Sequence, residues 1–338
     1  MVVGSMVIPK YSDPKTIYTP KDIQTDMMSE HGMNLTYMKA WRAKEKALQF
    51  LRGHPTDSYS KLPSYLYILE KTYLGSVVKL KKTDDDCFLY VFVVICTPIS
   101  SWKYCRLVVV VDGTFLKSAY RGIMLTTCTM DAVGVILPLA YAVVDSKNDA
   151  SWKWFFEQFK HAHGERPNMY VVSDRNEKSL NTLTKYAREL SIVELLEYMR
   201  TLLERWTKEK LLKAKGTFTY LGFKFNKELD DNRTLSHKLR VRASTDYIYR
   251  VLDGVRRYII CLENKRCSCG QFQLDKLPCP YALAALRHRD GSFEQYCSPY
   301  YTRENLLRTY EIPVNPLPDE RKWNVPQHIS EEVVNPPI

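Results

Sequence analysis

The sequence predicts a mixed chain, α+β or α/β. A helical module covers residues 1–75, a sheet-bearing core 76–216 and a β-rich segment 217–300, and a helix with a Pro-rich tail follows over 301–338. Three observations carry this. Apolar residues recur at helical spacing behind capping signals over residues 19–53, and β-branched runs broken by turn residues dominate 76–174. Cys267, Cys269 and Cys279 stand in a Cys-x-Cys-x9-Cys frame just before a helical stretch.

The bulk composition narrows the function classes. At 338 residues there is room for two or three domains, and 45% hydrophobic against 26% charged residues argues for folding over disorder. The opening MVVGSMVIPKYSDP has no basic leader followed by an apolar run, and no stretch nears the roughly 18 apolar residues of a membrane span. Neither secretion nor membrane insertion is expected. Nine scattered cysteines are a poor disulfide framework, whereas a close cluster in a reducing compartment points to metal. A formal charge of +11 favours polyanionic partners, nucleic acid first, because Lys and Arg displace counterions from phosphates. The alternative is a Lys excess that only keeps the chain in solution.

In the first module, Thr19-Pro20-Lys21-Asp22 supplies an N-cap, a first-turn proline and a capping acid, so a helix is expected from there to about His31, stopped by Gly32. A second helix follows with Leu35, Met38, Trp41, Ala47, Leu48 and Leu51 as its apolar face and Gly53 beyond its end. Two helices joined by a glycine turn resemble a helix-turn-helix. The second would present Lys39, Arg42, Lys44, Lys46 and Arg52 to DNA, although most such pairs are ordinary packing units. A third helix is expected from Asp57 to about Tyr73.

In the core, SVVKLKK and CFLYVFVVI form a hairpin across an acidic turn. The run Leu107 to Val111 reads as a central strand ending at Asp112, two strands follow across Asp131–Gly134, then a helix capped by Asn148, then a short strand ending at Asp174. That order is the front half of a ribonuclease-H-like fold, in which the first and fourth strands lie side by side. Aspartates 62 residues apart (174 minus 112) then meet at one sheet edge, where they could share Mg²⁺ for phosphoryl displacement. Asp-Gly is equally a frequent turn, and Asp174 a frequent helix cap. One long helix is expected from about residue 177 to 215, closed by Gly216. From Thr217 strands are expected, in KLRVRAST, YIYRVLDG and RRYIICLENK, leading into the cysteines as a ββα unit. The tail beyond Pro313 reads as extended and weakly ordered.

Three stretches together resemble the Mutator-like (MULE) transposases of plants and host genes derived from them: VVVVDGTFLKSAYRGIMLTTCTMDAVGVILPLAYAVVDSKNDASWKWFFEQF with VVSDRNE, then KSLNTLTKYAREL, then CSCGQFQLDKLPCPYALAAL. The last is similar to a SWIM-type zinc finger, spanning about residues 250–290. The resemblance implies a DDE-type ribonuclease-H-like core with Asp112 and Asp174 as metal-binding acids, zinc on Cys267, Cys269 and Cys279, DNA as partner, possible protein partners at the finger, and residence in the nucleus.

Two departures qualify it. The family separates the second acid from the third-acid helix by a long insertion, whereas here SDRNE runs straight into KSLN, so the core is truncated. The third-acid position then holds Lys178, and Glu177 stands one residue earlier, about 100° around a helix. An ammonium there removes a ligand and repels Mg²⁺. In the finger, the position of the fourth ligand holds Tyr281, whose phenol is a poor zinc ligand at neutral pH. In order of preference the fourth ligand is water, then His288, then Cys261; the alternative is reduced cysteines without metal. The expected function is a zinc-binding and DNA-binding transposase derivative that is catalytically silent. The alternatives are an active Mg²⁺-dependent DDE-type transposase using Asp112, Asp174 and Glu177, and a transposon remnant without a cellular role.

Overall fold

The computed structural model describes residues 2–11, 18–52, 54–118, 120–173 and 187–337. Thr19 caps the helix Pro20–His31: its hydroxyl accepts from the Asp22 N–H, the Asp22 carboxylate accepts from the Thr19 N–H at 2.7 Å, and Gly32 ends the helix at φ 63°. The next helix, Tyr37–Arg52, buries the small residues Ala40, Ala43 and Ala47, and packs with Val7, Ile23 and Met27 in a small cluster. Half of its expected apolar face is corrected: Ala47 is buried and Leu35 and Leu48 pack against the cluster, but Met38, Trp41 and Leu51 are exposed, because close helix approach selects alanine for the contact. The expected third helix is two, Pro55–Ser60 and Leu62–Thr72. A proline within the first two positions of each suits a helix start and cannot continue a preceding helix. Both pack against the core sheet through Tyr59, Leu62, Tyr65 and Leu69.

The core sheet is built from β1 (Val77–Lys82), β2 (Phe88–Val94), β3 (Val108–Phe115), β4 (Ile123–Met130), β5 (Ile136–Val144) and β6 (Tyr170–Ser173), in the order β1-β2-β5-β4-β3-β6. All neighbours are antiparallel except β3 and β6, which run parallel with Val108 opposite Tyr170 and Val111 opposite Ser173. β3 does not end at Asp112 as expected: Asp112 pairs with Thr126 and the strand runs on to Phe115, because β4 continues to supply partners. The helix Asp149–His163, capped by Asn148, buries Phe155 and Phe159 on one face of the sheet. The helix Ile192–Lys215 covers the other with Leu195, Leu196 and Met199.

The single long helix is also corrected. A 3-10 turn, Ala187–Glu189, precedes Ser191, which caps the helix reciprocally with Glu194. Apolar spacing continues through this break, which hides it in the sequence. After Gly216 the chain forms the helix Phe223–Ser236 before any further strand, against the expectation of β structure from Thr217. Then β7 (Arg240–Ala243), β8 (Ile248–Asp253), β9 (Arg256–Cys261) and β10 (Arg266–Cys267) form a second sheet in the order β10-β9-β8-β7. It packs with the helices Phe223–Ser236 and Pro280–His288 around Val251, Ile260, Phe272 and Ala284.

The tail is not loose. Tyr310, Val314 and Val334 are buried in the core clusters, and Asn335 accepts from the Phe88 N–H at 2.8 Å. Among the described residues no helix is long and apolar enough to cross a membrane.

Candidate functional site

The three cysteines come together. β10 ends at Cys267, Gly270 with φ 85° turns the chain after Cys269, and Cys279 is the N-cap of the helix Pro280–His288. Their Sγ atoms all lie within 4.8 Å of one another, and the three could hold a metal ion such as zinc. Gln273 braces the turn: its side chain accepts from the Cys267 N–H and donates to the Cys267 carbonyl, each at 3.0 Å. The Cys269 N–H donates to Cys267 Sγ at 3.5 Å, and the N–H groups of Gln271 and Ala282 favour thiolates at Cys269 and Cys279. Backbone donors aimed at sulfur fit a thiolate metal site, since a metal ligand must be deprotonated. Without a metal the trio shares its protons unequally. The hydrogen bond from Cys279 lowers the Cys267 thiol to about 6, the same bond raises Cys279, and burial raises Cys269.

No fourth donor joins them among the described His, Cys, Asp and Glu side chains. Tyr281 stacks on Tyr258 with ring centroids 3.8 Å apart and donates its phenol proton to Asp253 at 3.2 Å. Burial, Tyr258 and Asp253 all push that phenol further above its ordinary value. His288 is exposed and lies edge-on to Tyr249, and Cys261 accepts from the Asn264 amide at 3.4 Å. Gln273, Tyr258 and Asp253 were not legible as parts of this site, since each works through a contact across a turn or between a strand and the helix Pro280–His288.

Of the three expected acids only Asp112 is described; Asp174, Glu177 and Lys178 lie outside the described residues. Asp112 is half-buried in β3, with its carboxylate accepting from the Gly113 N–H at 2.7 Å. The parallel pairing puts Val111, just before Asp112, opposite Ser173, just before Asp174.

Of the expected DNA contacts, Lys39, Arg42 and Lys46 are exposed at helical spacing on Tyr37–Arg52. Lys44 is not a free contact: its Nζ lies 2.7 Å from Glu189 Oε2 and its side chain is only 12% exposed. The Arg52 side chain lies outside the described residues. A groove of about 960 Å³ opens between this helix and the end of β3. Trp41, Phe115, Lys117, Arg121 and Lys147 line it, together with the acids Glu45 and Asp145. The sequence offered no cue to it, because its walls come from segments far apart in the chain.

A mixed sheet clad with helices on both faces, joined to a second sheet beside which three thiols converge from a strand end, a turn and a helix start, defines an α+β protein with a candidate metal centre. Residues 108–189, from β3 through the 3-10 turn before Ser191, match the model of the MULE transposase domain, which marks the chain as related to MULE transposases. No curated protein matches the chain.

Proposed function

We propose that this chain is a transposase-derived protein that binds DNA, carries zinc in a SWIM-type finger and no longer cuts DNA. The observation that carries the reading is the parallel pairing of β3 with β6 inside the matched segment. It is the arrangement expected of the front half of a ribonuclease-H-like core with its first two acids on neighbouring strands. Catalytic silence is supported by the sequence, in which Lys178 stands at the third-acid position. A cation there opposes the second metal ion that an in-line displacement needs.

DNA contact is supported by the +11 charge, by exposed Lys39, Arg42 and Lys46, and by the groove at Trp41, where aromatic faces sit beside basic side chains. Zinc, when bound, would tie β10 to the start of the helix Pro280–His288. Cys267, Cys269 and Cys279 would hold it, the metal displacing their protons and the backbone donors favouring the sulfurs in ionised form. Residence in the nucleus follows from the same reading.

A nicking assay on terminal-repeat DNA with Mg²⁺ or Mn²⁺, using wild type and Asp112→Ala, tests the silence. No cleavage by either is expected, and wild-type cleavage lost in Asp112→Ala would overturn it. A mobility-shift series in salt tests the binding, which should weaken steeply as salt rises.

A further inference from the structure

We propose that the metal on Cys267, Cys269 and Cys279 keeps one coordination position open, held by water that a neutral imidazole nitrogen can displace. The proposal rests on the reading that the three thiols hold a metal. Three observations converge. Among the described residues no further His, Cys, Asp or Glu atom shares the 4.8 Å cluster. The phenol two residues after Cys279 is committed elsewhere, since Tyr281 is stacked at 3.8 Å on Tyr258 and donates to Asp253. Cys267 and Cys279 are buried while Cys269 is half-exposed, so the way in from solvent runs past Cys269.

Zinc with four protein ligands is closed and structural, whereas three ligands plus an exchangeable water is the open form. Charge selects the incomer. Three thiolates on a divalent ion leave a net charge of about −1, so a fourth anionic ligand would add to that charge while water or an imidazole adds none. The chemistry that suits the position is therefore a neutral nitrogen donor, either a free imidazole or a histidine presented by another chain.

The full chain is loaded with Co²⁺ in place of zinc, and its visible bands are followed as imidazole is added. Wild type should show a shift of these bands with cobalt still bound after desalting. Tyr281→Phe, which keeps the stacking ring and lacks the phenol, should give the same starting spectrum and the same shift. Wild-type bands that ignore imidazole while cobalt is retained would overturn the open position. A Tyr281→Phe spectrum that differs before imidazole is added would overturn it too, because the phenol oxygen would then be the fourth ligand. If no cobalt is retained at all, it is the underlying reading of a metal site that fails.

Discussion

Lys44 Nζ lies 2.7 Å from Glu189 Oε2, joining the second long helix of the N-terminal module to the 3-10 turn that precedes the helix Ile192–Lys215. The Glu189 side chain is 35% exposed, so the pair is partly hydrated and contributes modestly. This divides the lysines of one helix between two tasks. Lys44→Ala should lower stability by about 1 kcal/mol in a denaturant titration while leaving the salt dependence of DNA binding intact. Replacing Lys39, Arg42 and Lys46 together by Ala should leave stability nearly unchanged. If each meets a phosphate, the slope of log K against log salt should fall by about 2 to 3.

His163 supplies a pH dependence. Burial lowers its pKa to about 4, because the ring sits against Phe159 and Trp102 with Nε2 3.3 Å from the Leu139 carbonyl and Nδ1 buried without a partner. A proton on Nδ1 would be a buried donor with nothing to accept it. The folded pKa lies below the unfolded one, so the unfolded chain takes up the proton first on acidification. The stabilisation is complete above about pH 6.5 and declines by about 1.4 kcal/mol per pH unit down to about pH 4. Denaturation midpoints at pH 7 and pH 5 check this. His163→Phe should flatten that part of the profile, and an unaltered profile in the variant would show that other groups cause it.

Much of the sheet was legible because its cues are local. The β-branched run Val108 to Val111, the turn at Asp131–Gly134 and the caps at Thr19 and Asn148 each act within a few residues. The helix Phe223–Ser236 was missed because only Phe225, Leu229 and Ser236 of its residues are buried, so its apolar signal is thin. The misread part of the Tyr37–Arg52 face has the opposite cause: Met38, Trp41 and Leu51 suggested a contact that Ala40, Ala43 and Ala47 make, and the exposed Trp41 lines a groove instead. At the metal centre the frame of thiols was legible. The fate of Tyr281 was not, since it is decided by a tyrosine on β9 and an aspartate on β8.

The resemblance to a SWIM-type finger, which puts the fourth ligand at position 281, predicts what a better donor there does. Tyr281→His should tighten zinc binding by about tenfold or more, since converting an open site to a closed one adds a ligand bond already paid for in chain entropy. Competition with a chromophoric chelator at neutral pH reads this out. Equal affinity in the two proteins would mean that position 281 does not face the metal.

Divalent metal at the sheet edge gives the last prediction. If Asp112 belonged to a working carboxylate site with a Kd near 50 µM, about 5 mM Mn²⁺ would exceed Kd a hundredfold and stabilise the fold by about 2.7 kcal/mol. In a domain of about 150 to 250 residues that raises Tm by roughly 5 to 10 °C, because each kcal/mol is worth about 2 to 4 °C. With an ammonium at position 178, the expected rise over a magnesium- and manganese-free control is below about 1 °C, and Asp112→Asn should respond as wild type does. The comparison must be made on zinc-loaded protein, so that Mn²⁺ entering the cysteine centre is not mistaken for occupancy at Asp112. A rise of several degrees in wild type that Asp112→Asn abolishes would mean that the sheet edge still grips a divalent ion, and cleavage would then have to be reconsidered.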